Sequence, residues 1–272
     1  MHSLTIARLE LLLARRNMWV ATAVLLMALF NIVLTLAGGA AAGNLGVDPL
    51  TVAISSITTL SVYLIPLIGL LLSFDAISGE AERGTLALSL TYPLSRGEIL
   101  MGKFLAHLLV LAFAVAAGLA LTVGLTIWKH GAEGLAWGAL GRLFLTSLAL
   151  GAAFIAVGYL ISALARQTGV ASGIVVVIWL GAVVLYDLAL LGALVADKGG
   201  FFTHEIFPWL LVANPADAFR IMNMPPETVS VLATGLGAAG AAASKAMQLA
   251  SLALWPALTL ALAWAAFRRI EP

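Results

Sequence analysis

Residues 97–103, G-E-I-L-M-G-K, have the G-x-x-x-x-G-K spacing of a phosphate-binding loop. Such a loop cradles phosphates on backbone N–H groups, and the hydroxyl of a following Ser or Thr holds magnesium. The next residue here is Phe104, and Pro93 with a helical pattern, rather than a strand, precedes the motif. A second pattern, G-L-G-A-A-G at Gly235–Gly240, spells G-x-G-x-x-G. It lacks a βαβ setting and an acid at the distance a ribose needs. Close packing of helices through small residues accounts for it better. Hydrolytic chemistry is as thin. There is no H-E-x-x-H and no G-x-S-x-G, and His2, His107, His130 and His204 are scattered. The sequence therefore offers no catalytic residue and no cofactor site of its own.

Two polar groupings remain. Met222 and Met224, with His204 upstream, could make a soft-metal site, because thioethers suit Cu(I). The alternative, which the sequence favours, is that both methionines fill apolar surface. Asp187 is the one acid well inside an apolar run. Intramembrane acids are functional candidates, but this one follows Tyr186 in the outer part of its run, where it could instead reach water or pair with a neighbour. The runs otherwise hold almost no ionisable groups, which argues against a hydrated ion path.

These residues must be positioned by elements that live in lipid. Of 272 residues, 62% are hydrophobic and 10% charged, and the mean hydropathy is +1.08. A soluble domain carries about 25% charged residues. The net charge of +1, with no basic stripe, gives no footprint for nucleic acid. The absence of cysteine excludes disulfides and thiolate metal sites. The sequence predicts an all-α, polytopic membrane protein forming a single transmembrane domain over 1–272, with six spans near 18–37, 51–73, 99–128, 142–164, 170–195 and 246–267. The first run, at about 20 residues, is longer than a secretory signal core, so it reads as a retained span. Pro66 should kink the second. Residues 1–17 read as an interfacial helix, with Ile6, Leu9 and Leu13 on one face, or as an extension of the first span. Residues 201–245 are broken by Pro208, Pro215 and M-N-M-P-P-E, and read as short re-entrant or extracytoplasmic helices.

Six spans put both termini on one side. Nine Lys and Arg residues fall on that side (Arg8, Arg15, Arg16, Arg83, Arg96, Lys103, Arg166, Arg268, Arg269) and five on the other (Lys129, Arg142, Lys198, Arg220, Lys245). The positive-inside rule places the termini in the cytoplasm. The densest island of charge, Ser73–Phe104, is then cytoplasmic. Ser95 and Glu98 form a capping box that opens the third span, and Pro93 stops what precedes it. Ser78–Leu90 fits one short helix, with Glu80 and Arg83 at i, i+3 spacing and Leu86, Leu88 and Leu90 as apolar contact surface. A helix, a proline break and a capped restart make a stiff elbow able to pass on a push.

Glu80-x-x-x-Gly84-Thr85-Leu86, Pro93-x-Ser95-Arg96 and Gly102-Lys103 resemble the cytoplasmic segment of ABC-2 type transporter permeases. The resemblance implies six spans forming half of a homodimer. It also implies a coupling segment, residues 74–98, that docks on a separate cytoplasmic ABC ATPase, where ATP and Mg are bound. Glu80, Glu82, Arg83, Gly84, Thr85 and Arg96 would form that docking surface; a solvated elbow that only orients the spans is the alternative. The stretches Y-L-I-P-L-I-G-L-L-L-S-F-D-A-I-S-G-E and P-W-L-L-V-A-N-P-A-D-A-F-R-I-M-N are similar to the branch of the family that serves nitrous oxide reductase maturation. That similarity implies a bacterial inner-membrane permease, not itself an enzyme, supporting copper-site assembly in denitrification. A periplasmic accessory protein would face 201–228, within a periplasmic segment over 201–245, with His204, Met222 and Met224 as contacts. Export of another substrate (drug, lipid or polysaccharide) is the nearest alternative; an intramembrane enzyme or stand-alone carrier is the more distant one.

Overall fold

The computed structural model describes residues 5–8, 10–11, 25–36, 49–91, 93–131, 136–165, 167–197, 200–224 and 244–270. Among these the chain forms helices and turns and no strand. Residues 5–8 and 10–11 are helical, and α1 is Leu25–Leu36. Then follow α2 (Pro49–Ser73), α3 (Ser78–Glu82), α4 (Thr85–Thr91), α5 (Arg96–His130) and α6 (Trp137–Leu164). α7 runs over Thr168–Asp197, α8 over Phe207–Ala213, α9 over Pro215–Asn223 and α10 over Lys245–Phe267.

Among the described residues, five stretches are long and apolar enough to cross a membrane: Val52–Glu82, Arg96–Lys129, Trp137–Leu164, Thr168–Asp197 and Lys245–Phe267. α1 is the described part of the first expected span, whose other residues lie outside the described set, as do 225–243 and with them the second glycine pattern. The bundle is arranged around α6, which packs against α2, α5, α9 and α10. Two glycines let it approach its neighbours. A Cβ on Gly151 would lie 1.9 Å from Cδ2 of Leu111 in α5, and one on Gly158 would lie 2.0 Å from Oγ of Ser73 in α2. Tyr159, Leu150, Ile155, Ile65 and Leu111 are fully buried around this contact.

Helix ends differ from expectation in instructive ways. α6 begins at Trp137, five residues before the expected 142, because Arg142 is not a loop cation; its side chain is exposed on the first turns, where a long stem reaches water. α5 is 35 residues long, roughly 52 Å at 1.5 Å per residue, so it overshoots a hydrocarbon core of about 30 Å. α7 carries a π-helical stretch at Leu180–Leu185. A widened turn disturbs the backbone ladder. Asn214 responds by donating from Nδ2 to the Ala182 carbonyl at 2.7 Å, while its Oδ1 accepts the Ala216 N–H at 3.0 Å and caps α9.

Between α7 and α10, the polar and proline-broken segment forms a π-helical turn (Phe202–Ile206) and the short α8 and α9, as its punctuation suggested. α9 packs against α2, α6 and α10.

Candidate functional site

The elbow is built at the end of α2. Ser73 is buried and its hydroxyl donates to the Gly69 carbonyl at 2.7 Å, a bond back into its own helix. The chain turns over 74–77 and restarts as α3. The first turn of a helix leaves backbone N–H groups without intrahelical partners. Here Ser162 of α6 supplies the acceptor: its Oγ takes the Ile77 N–H at 2.9 Å and the Ser78 N–H at 3.0 Å.

The expected single helix over 78–90 is two helices. Gly84 separates them with φ +72°, a left-handed conformation that glycine adopts without steric cost. The second, α4, ends at Thr91, and exposed Pro93 lies between it and the capping box. That box forms as expected. Ser95 Oγ accepts the Glu98 N–H at 3.2 Å, and Glu98 Oε2 accepts the Ser95 N–H at 2.9 Å.

The structure separates the charged residues of the elbow into two groups. One group faces inward. Glu80 does not pair with Arg83; its Oε1 accepts from Lys103 Nζ at 2.8 Å, and the same ammonium reaches Glu10 Oε1 at 2.5 Å. Lys103, counted above among the cations on the side of the termini, is buried inside α5. Its place within the apolar run 99–128 was the signal, since a cation inside a span needs acids nearby. Arg96 also turns inward, donating from Nη1 to the carbonyls of Phe267 at 2.6 Å and Ile270 at 2.7 Å, past the last turn of α10. Leu86 is 2% exposed and belongs to the core, contrary to its expected place on a contact surface.

The other group faces out. Ala81, Glu82, Arg83, Gly84, Thr85, Ala87, Leu88 and Thr91 are exposed, Leu88 at 65%. Within this group Glu82 is engaged: its Oε2 accepts the N–H and the hydroxyl of Thr168 and so caps α7. The elbow is thus an exposed tip tied by polar contacts to α5, α6 and α7 behind it. Nearby, the buried pair of His107 Nδ1 and Tyr159 OH, 2.9 Å apart, joins α5 to α6.

At the other end of the bundle, Asp187 is not alone. Arg220 of α9 donates to its Oδ2 at 2.6 Å and to Oδ1 of Asp217 at 2.8 Å. Asp217 is 1% exposed and its Oδ2 has no hydrogen-bond partner. Burial pushes its carboxyl above the ordinary aspartate range; Arg220 opposes the shift and Asp187 adds to it. Met222 packs against the main core, Met224 is half-buried just after α9, and His204 is exposed on the Phe202–Ile206 turn. Among the described residues no three His, Asp or Glu side chains cluster to hold a metal ion.

A helical bundle of membrane-spanning length with an elbow tied to it and a broken segment before its last span is the architecture of a transporter's membrane subunit. The chain matches the family model for ABC-2 family transporter proteins over residues 4–271, and it belongs to that family. It is 40% identical over 278 residues to a protein of Pseudomonas aeruginosa described as a probable ABC transporter permease protein NosY, covering 97% of either chain. A Stutzerimonas stutzeri protein of the same description is 40% identical over 270 residues, again across 97% of both chains.

Proposed function

We propose that this chain is the permease subunit of an ABC transporter whose ATP is hydrolysed by a separate cytoplasmic ATPase docked on the exposed tip of the elbow. The carrying observation is the contrast within that elbow. Arg83, Gly84, Thr85 and Leu88 are exposed, while Ser78, Glu80, Glu82 and Arg96 are tied to other elements. A free apolar and basic tip on a fixed base suits a surface that receives force. Both termini and the elbow then lie in the cytoplasm, and the chain works as a homodimer in the bacterial inner membrane.

The resemblance to the nitrous oxide reductase maturation branch, together with the two relatives described as NosY, supports a role in copper-site assembly of that reductase. In this reading α8, α9 and the residues around them meet a periplasmic accessory protein, with His204, Met222 and Met224 on that side. The mechanism is transmission of the ATPase state across the bundle. Asp187 is neutralised by Arg220, which leaves the spans with little charge to line an ion path.

The test is co-purification of the full chain with its ATPase after Arg83→Glu and Leu88→Asp, singly and together. Loss of the ATPase with the bundle still folded is the expected result. Retention after both changes would refute docking at this tip. Copper content of nitrous oxide reductase in cells carrying Met222→Ala with Met224→Ala tests the outer role; full loading would remove those methionines from it.

A further inference from the structure

Lys103 brings together two elements that the chain keeps far apart. Its side chain is 8% exposed, and its ammonium touches Glu10 from the N-terminal helical residues and Glu80 from α3. Lys103 lies about two turns inside α5, and α5 is long enough to overshoot the hydrocarbon core, so the three charges meet near one end of the span, the cytoplasmic end in the docking reading above. Water is largely excluded there, and charges interact more strongly than they would in bulk solvent.

Neither acid can leave at no cost. Glu80 Oε2 is buried without a donor, so that carboxylate is held through Oε1 on Lys103. Removing Glu10 or Glu80 would leave the buried cation short of countercharge, and removing Lys103 would leave two acids facing each other. Apolar packing reinforces the junction: Ala7 is buried, and Ile6 and Leu11 lie against the main core. The N-terminal helical residues are thus clamped to the elbow through one side chain of α5.

We propose that Lys103 is a positioning residue that yokes the N-terminal helical segment to α3, so that the two respond to the cytoplasmic partner as one body. The source of the push rests on the docking reading above; the yoke itself is a property of this chain alone. A partner that displaces α3 displaces Glu80, and Lys103 carries the displacement to Glu10.

The chain has no cysteine, so single introduced cysteines report cleanly. Spin labels go on Arg8→Cys and Ala81→Cys, both exposed, in the full chain in lipid nanodiscs. Double electron–electron resonance should give one narrow distance. Lys103→Met should lose it, replaced by a broad distribution. Glu10→Gln, which leaves the Lys103–Glu80 pair in place, should broaden it as well. Glu10→Lys combined with Lys103→Glu, in a chain that also carries Glu80→Gln so that no second acid faces position 103, should restore the narrow distance, because opposite charges face each other again and the position-80 amide can donate to the new carboxylate; a general packing role would not produce that rescue. A narrow distance in both Lys103→Met and Glu10→Gln would overturn the proposal. If Lys103→Met fails to fold by gel filtration, Glu10→Gln and the exchanged pair decide the matter. Adding the ATPase separates the two readings. If it does not bind, the docking reading falls, and the distances without it still decide the yoke.

Discussion

Glu82 caps the helix that begins at Thr168 from another element: its Oε2 accepts the Thr168 N–H at 3.1 Å and the Thr168 hydroxyl at 2.6 Å, across 86 residues of chain. The residue in the N-cap position, Gln167, makes no side-chain cap. Glu82 therefore stands in for it, and as an anion at a helix N-terminus it also suits the helix dipole. Glu82→Ala should speed hydrogen exchange at the amides of residues 168–171, with Glu82→Gln intermediate because it keeps an acceptor. Exchange by mass spectrometry reads both. Unchanged exchange in the alanine variant would remove the cap from the account.

Gly84 sets the angle between the two short helices of the elbow. Its φ is +72°, and a Cβ placed there would meet nothing within 4 Å. The cost of a side chain is then purely conformational. Gly84→Ala should lower stability by about 1–2 kcal/mol, the cost of a left-handed backbone for an ordinary residue. Gly84→Asn should cost less, since asparagine tolerates that region. Thermal unfolding in detergent should order the melting temperatures Gly, Asn, Ala from highest to lowest; equal values for Asn and Ala would point to a steric cause instead.

Arg96 holds the end of α10 against the start of α5. Its guanidinium serves the carbonyls of Ile270 and Phe267, the latter shared with the Ile270 N–H at 3.3 Å, and it lies 5.6 Å from the Phe267 ring centroid. A Cβ on neighbouring Gly97 would lie 3.3 Å from Trp264 Nε1, so the two helices already touch. Arg96→Ala should expose residues 264–270 to limited proteolysis. Arg96→Lys should protect them only in part, because an ammonium lacks the planar fork. Proteolysis at the native rate in Arg96→Ala would show that the helix end is held without this side chain.

What could be read from the sequence follows the range of the interactions involved. Span lengths are set by lipid thickness, so apolar runs alone located α2, α5, α6, α7 and α10. The Ser95–Glu98 box spans four residues and is visible as a local pattern, and Pro208 and Pro215 marked the breaks around α8. Interactions between distant residues left no such mark. Glu10 and Lys103 are 93 residues apart, Ile77 and Ser162 are 85 apart, and Arg96 serves carbonyls 171 and 174 residues away. Packing of helices chooses those partners. Backbone acceptors carry no side-chain signature at all, which is why Arg96 read as a surface charge. Gly84 is the intermediate case: a glycine inside a helical pattern can end a helix, yet the reading of 78–90 as one helix ran straight through it.

Asp217 gives the end of the bundle away from the elbow a pH dependence of defined sign. Asp187 and Tyr186 of α7, Arg220 of α9 and Tyr63 of α2 are the ionisable groups that act on this cluster. Two carboxylates share one guanidinium, and burial raises the Asp217 carboxyl above its value in an unfolded chain. Between about pH 4, where an unfolded aspartate titrates, and the raised folded value, the folded protein holds a proton that the unfolded chain has released. The stabilisation from this group is full below that window and declines as pH rises through it, by up to about 1.4 kcal/mol per pH unit. Asp217→Asn, which cannot titrate, should flatten this part of the profile. Arg220→Met should be far more damaging, by about 3–5 kcal/mol, because it leaves Asp187 without its countercharge and Asp217 Oδ1 without its donor. Melting temperatures of the native chain and Asp217→Asn, followed from acid to alkaline pH, test the argument: the two curves should converge toward acid pH and separate as pH rises, and parallel curves would show that Asp217 is ionised throughout.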